Sequence, residues 1–159
     1  KTSVIRVMPN TPACYGKGIT AIYPCKKTKI ANLDITKLLF SSVGIVVILK
    51  QESKMDIVTA ISGSGPAYVF LFIEHLIQSA VDFGLDKKMA TVLVKETFLG
   101  SSYLASISDK APEVLRNDVT SPGGVTEAAI KVFNKNNAFH KITNNAINAA
   151  VKKSVKLSQ

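Results

Sequence analysis

The sequence predicts a mainly α-helical chain, led by the closing strand-helix-strand portion of a doubly wound α/β sheet. Apolar runs of strand length are confined to the first third, and apolar residues at helical spacing fill the rest. The pattern changes near Gln51, which divides the chain into an α/β segment, 1–51, and a helical segment, 52–159.

Residues 4–8 are β-branched and apolar, 18–23 form a second strand, and 45–49 a third with no polar interruption. Unbroken apolar runs suit strands covered on both faces. Ile30, Leu33, Leu38 and Leu39 make an approximate helical stripe that stops before Gly44, a residue type expected just past a helix end. Three strands alone make a poor domain, so further strands of the sheet are expected outside this chain. The opening Lys1-Thr2-Ser3-Val4 has no initiator Met and no leader pattern, as expected for a piece of something longer.

Beyond Glu52, Met55, Val58 and Ile61 mark a short helix that stops at Ser62-Gly63-Ser64-Gly65-Pro66. The next helix carries Val69, Phe70, Phe72, Ile73, Leu76, Ile77, Ala80 and Val81 around much of its circumference, which implies several packing neighbours. Asp86 is placed to cap a further helix, and Pro112 opens a short one. A loop over 119–124 leads into a helix with Ala128, Ile130 and Phe133, and the last helix spans about 139–157.

Composition narrows the function classes. The 159 residues are 47% hydrophobic and 19% charged, which describes a soluble globular protein. The apolar run over 38–49 is too short to cross a bilayer, so no membrane span is expected. The net charge of +9 comes from dispersed lysines with few aromatics, which argues for a solvated surface and no nucleic-acid partner. Cys14 and Cys25 read as reduced thiols of a cytoplasmic protein, and no metal site is expected. His75 and His140 stand alone and read as packing or surface residues. No dinucleotide fingerprint occurs, because neither Gly16-Lys17-Gly18 nor Gly63-Ser64-Gly65 lies in a strand-turn-helix context; Gly63 and Gly65 read as sites of close helix packing.

The chemistry concentrates in Asp118-Val119-Thr120-Ser121-Pro122-Gly123-Gly124-Val125-Thr126. Two glycines at the mouth of a helix let a ligand approach backbone amides that lack intrahelical acceptors, which makes a site for a small carboxylate or phosphate. Thr126 adds a hydroxyl beside it. Residue chemistry alone favours a plain capped loop over such a pocket.

The run from Pro112 to Asn134 nevertheless resembles the signature of pyrroline-5-carboxylate reductases. Val4-Ile5-Arg6-Val7-Met8-Pro9-Asn10-Thr11-Pro12 and Ile61-Ser62-Gly63-Ser64-Gly65-Pro66-Ala67-Tyr68 agree with that family in order and distance, and the likeness covers the whole chain. It implies that 1–51 closes a Rossmann-type domain binding NADPH or NADH, whose main binding site lies upstream. It also implies that 52–159 is a helical dimerisation and substrate-binding domain, forming a homodimer or a larger ring of dimers. By the same likeness Ser121, Gly123, Gly124, Val125 and Thr126 hold the substrate, with Thr126 the catalytic hydroxyl. Met8, Pro9, Asn10 and Thr11 lie beside the nicotinamide, and Asp118 approaches the cofactor where the family often has an amide.

The implied reaction is hydride transfer to the C=N carbon of 1-pyrroline-5-carboxylate, giving proline. A cofactor that supplies the hydride leaves the protein mainly orientation and charge stabilisation, which accords with the lack of an acid-base pair. Two other readings stay open: a module that only oligomerises, and the helical domain of a β-hydroxyacid dehydrogenase, for which no Lys-x-x-Asn stands in a convincing context. This chain alone is expected to be inactive.

Overall fold

A computed structural model describes residues 2–158. Three strands form one sheet in the order β1 (Ile5–Met8), β2 (Gly18–Pro24), β3 (Gly44–Ile48). β1 runs antiparallel to β2, and β3 lies parallel to β2 after the crossover helix α1 (Ile30–Ser41). Then come α2 (Met55–Val58), a π-helical turn (Thr59–Gly63), α3 (Gly65–Asp82), α4 (Lys87–Ile107), α5 (Pro112–Asp118), α6 (Val125–Asn134) and α7 (Ala138–Leu157). The mainly helical architecture behind a short α/β lead is the one the sequence predicts.

The chain forms two compact units. One comprises the chain up to Val69 together with the segment from Asn145 onward; the other is Phe70–Asn144. In the first unit the core is the middle of β2, where Thr20, Ala21 and Ile22 are fully buried with Met55 and Ala60. Ser154 of α7 donates to Asp56 of α2 at 2.6 Å, a contact spanning 98 residues of sequence. In the second unit four aromatic rings meet edge to face or tilted: Phe72 lies 5.6 Å from Phe98, 6.3 Å from Phe133 and 6.2 Å from Phe139. Such geometry adds to the burial of each ring.

Several local signals act as expected. Asp86 accepts a hydrogen bond from the Met89 amide and caps α4. Pro112 occupies the first turn of α5. Other features differ from the sequence reading. β3 is half exposed, with Ile45 67% accessible, because only β2 pairs with it and α1 leaves Ile30, Leu38 and Leu39 exposed too. The short helix does not stop at the glycines: Glu52–Asp82 continues as one helical stretch of 31 residues, through the π turn. By length and composition that stretch is apolar enough to cross a membrane, and it carries no charge over 57–73, a longer run than 38–49. Small and hydroxyl residues extend the uncharged span beyond its strongly apolar part.

Gly44 also serves a different end from a helix stop. The helix closes at Ser41, and Gly44 opens β3 at φ +149°, opposite Gly18 in the register. A Cβ at Gly44 would collide with the Gly18 carbonyl, and a Cβ at Gly18 would stand 2.7 Å from that of Ala13. The parallel pair can close only if Gly44 lacks a side chain, while Gly18 makes room for Ala13 of the preceding turn. Gly44→Ala should therefore destabilise the protein by about 2 kcal/mol or more, read as a lower midpoint in thermal denaturation; an unchanged midpoint would show that the strands shift apart at no cost.

Candidate active site

The loop after α5 is built turn upon turn. The Thr120 hydroxyl donates to the Arg116 carbonyl at 2.6 Å, closing α5, and the Gly124 amide donates to the Ser121 carbonyl at 3.0 Å. Gly123 takes the left-handed conformation, φ +73°, which swings the chain into α6. The first helical bond of α6 is Ala128 N–H to Gly124 O, 3.2 Å. Hence the amides of Val125, Thr126 and Glu127 make no hydrogen bond among the described residues, and Gly124 has no side chain to cap them. Val125 is 91% accessible, so these amides border open solvent. Three free donors at the positive end of a ten-residue helix favour an anion. Ser121, Gly123, Gly124, Val125 and Thr126 thus share one exposed turn, with the Thr126 hydroxyl uncommitted among the described residues.

Glu127, which the sequence reading passed over, already holds part of this turn. Its carboxylate accepts from the Gly123 amide at 3.0 Å and pairs with Lys131 at 3.0 Å. The signal was present: a Glu three residues after a helix cap reaches back to the loop. Lys131 first, then the Gly123 amide, hold its carboxyl below the usual glutamate range. Gly123 N–H is therefore spent internally, leaving the amides of Val125, Thr126 and Glu127 for a ligand. Asp118 ends α5 in an ion pair with Lys110 at 2.6 Å, so its carboxylate carries a balanced charge.

In the other unit, Met8, Pro9, Asn10 and Thr11 leave β1 and line a cleft of about 470 Å³ with Thr59, Gly63 and Ser64. Nothing in the sequence pairs Thr59 or Ser64 with these residues; the π turn does so. Gly63 permits a close approach, since a Cβ there would meet Met8 Sδ at 3.3 Å, whereas a Cβ at Gly65 would meet nothing among the described residues. An adjoining hollow of about 460 Å³ between Arg6 and Lys153 offers little to a ligand. Its Thr59, Ser154 and Ser158 hydroxyls already donate within the chain, and Arg6 faces Glu52 at 3.6 Å. Residues 8–11 and 121–126 belong to different compact units. His75 and His140 are exposed, and no group of three metal-ligating side chains occurs among the described residues.

The carboxylate pairing has a pH consequence. A group whose folded pKa is depressed lends stability above its unfolded value and loses it as pH falls through the folded one. The Gly123 amide resonance should accordingly titrate with a midpoint below that of a free glutamate, and Glu127→Gln should abolish the transition; a midpoint at or above the free value would show that the pair does not persist in solution.

The chain over 52–157 matches the family model of pyrroline-5-carboxylate reductase dimerisation. It is 40% identical over 98% of its length to the pyrroline-5-carboxylate reductase of Pseudomonas aeruginosa and 44% identical over 98% to that of Arabidopsis thaliana. It covers 57% and 55% of those proteins, so it spans little more than half the length of its curated relatives. Among solved structures it resembles a Coxiella burnetii pyrroline-5-carboxylate reductase, with TM-score 0.93 and 35% identity over 99% of this chain and 58% of that one. A Plasmodium falciparum pyrroline carboxylate reductase with NADP bound gives TM-score 0.91 and 36% identity over 100% of this chain and 60% of the other. With the matched model covering most of its length and every one of these relatives agreeing, the chain belongs to the pyrroline-5-carboxylate reductase family.

Proposed function

We propose that the whole protein containing this chain reduces 1-pyrroline-5-carboxylate to L-proline with NADPH or NADH, the last step of proline biosynthesis, as a cytoplasmic homodimer. The observation that carries this reading is the row of unpartnered amides at Val125, Thr126 and Glu127, beside the free Thr126 hydroxyl. A planar ring with one carboxylate fits that arrangement: the carboxylate takes the amides, and the ring nitrogen faces the hydroxyl. We further assign 1–51 to the end of a nucleotide-binding domain and 52–159 to the dimerising, substrate-binding part.

The family's dinucleotide fits the chain in one respect. The cleft at Met8, Pro9, Asn10 and Thr11 has apolar walls and hydroxyl edges, suited to a flat nicotinamide face, whereas no fingerprint turn for its pyrophosphate stands in these residues. When bound, the reduced nicotinamide supplies the hydride for the C=N carbon. The chain's own part is to fix the substrate. Ser121 and Gly124 shape the turn, the α6 amides hold the carboxylate, and the Thr126 hydroxyl supports the nitrogen as it gains its proton. Holding reactants in a near-attack arrangement accounts for most of what such a protein must contribute. Asp118, neutralised by Lys110, stands at the loop's start as the remaining candidate for a cofactor contact.

Dimerisation follows from uncovered surface. Among the described residues Phe70 (63%), Leu71 and Val69 on α3 and Leu99 on α4 are exposed, in a chain that is 47% hydrophobic. Contiguous exposed apolar residues mark an interface. A second copy covers them better than a bilayer does, because α3 also carries Glu74, His75, Gln78 and Asp82. Sedimentation of the whole protein should show a stable dimer; a monomer at high concentration would refute this.

The reductase reading is tested with the whole protein, by oxidation of NADPH or NADH on addition of 1-pyrroline-5-carboxylate and detection of proline. Thr126→Ala should lower kcat/KM roughly five- to hundredfold, the equivalent of about 1–3 kcal/mol, at nearly constant melting temperature. Thr126→Ser should retain much more activity. Full activity in a stable Thr126→Ala protein would remove this hydroxyl from the reaction.

A further inference from the structure

The Asn10 side chain bonds at both ends to backbone groups, one of which a proline leaves without its helical donor. The β1–β2 register, continued past Met8↔Ala21, brings Asn10 opposite Ile19. The Asn10 carbonyl, the acceptor the Ile19 amide would otherwise meet in the ladder, is taken by the Ala13 amide as the chain turns into its 3₁₀ segment, Thr11–Tyr15. Asn10 Oδ1 instead accepts the Ile19 amide at 3.0 Å. On the other side, Ser62 lies in the π turn, and its carbonyl would ordinarily accept from the amide four residues on. That residue is Pro66, which has none. Asn10 Nδ2 supplies the missing donor at 3.2 Å. One carboxamide thus joins the start of β2 to a turn 52 residues beyond Asn10, and both bonds are part-buried.

The segment between these anchors is the wall of the 470 Å³ cleft. With Gly63 admitting Met8 Sδ to close range, the wall is held at Asn10 by hydrogen bonds and at Met8 by contact. We propose that Asn10 is a positioning residue that fixes Met8, Pro9 and Thr11 against the π turn, so that the nicotinamide meets a pre-set surface; this rests on the reductase reading. Its side chain faces the protein, and any contact of Asn10 with a cofactor is made through its backbone. Only a carboxamide of this length satisfies both anchors: aspartate lacks the donor, serine lacks the reach, and glutamine overshoots.

The test uses the whole protein and the variants Asn10→Ala, Asn10→Asp and Asn10→Ala/Pro66→Ala. The second substitution in the double variant gives the Ser62 carbonyl a helical donor of its own, so it repairs the orphaned group without restoring the cross-link. Asn10→Ala should lower kcat on the order of ten- to hundredfold, with little change in KM for 1-pyrroline-5-carboxylate. Asn10→Asp should behave similarly. The double variant should recover part of the lost melting temperature while kcat stays low. Recovery of kcat together with melting temperature, or an unchanged kcat in Asn10→Ala, would overturn the proposal. Amide hydrogen exchange separates its failure from that of the reductase reading. If the unsubstituted protein does not reduce the substrate, the reading fails, yet faster exchange at Met8, Thr11 and Ile19 in Asn10→Ala still upholds the clamp. Unchanged exchange there would refute it.

Discussion

Apolar surface that one copy of the chain leaves uncovered is the constraint on which the rest depends. Among the described residues the fully buried apolar side chains are Ala21, Ile22, Met55, Ala60 and Ala90, a small set for so hydrophobic a sequence. α1 turns Ile30, Ile35, Leu38 and Leu39 outward, and α3 does the same with Val69, Phe70 and Leu71. Burying each large apolar side chain is worth roughly 1.5–3 kcal/mol, so these faces together represent more free energy than a typical domain's net stability. Such faces call for cover from outside these residues, and the helical half matches a family model of dimerisation.

Against that background the candidate site is economical. Its polar groups come from main chain, positioned by a left-handed glycine, a tight turn and a helix start. Main-chain donors keep their geometry when side chains vary, and they need no titrating group to hold an anion. The single carboxylate within the turn, Glu127, is neutralised by Lys131 and stabilises the loop from inside.

Much of this was legible beforehand, for identifiable reasons. Asp86 and Pro112 act through local chemistry that spacing reveals, and the glycine pair before α6 marks a helix mouth in any context. What escaped depended on partners distant in sequence. The apolar run of β3 suggested cover on both faces, but a run of isoleucine and valine states only the preference of a strand and not the presence of neighbours. The Ser62 carbonyl of the π turn, denied a helical donor by Pro66, takes one from Asn10, 52 residues earlier. Gly65 differs from Gly63 only in what lies opposite, which no local pattern records.

The bond from Ser154 to Asp56 bears on the order of assembly during synthesis. The first compact unit is discontinuous, closing only when the segment from Asn145 onward returns to α2. On the ribosome the sheet and α2 emerge first and wait while the intervening helices are made, at about 5–20 residues per second. During that delay of several seconds the cradle for α7 stays open, and loop closure over so long a span costs entropy before it is rewarded. The final helix therefore acts as a latch, and a nascent chain stalled short of it would hold its sheet unfastened, a ready client for chaperones.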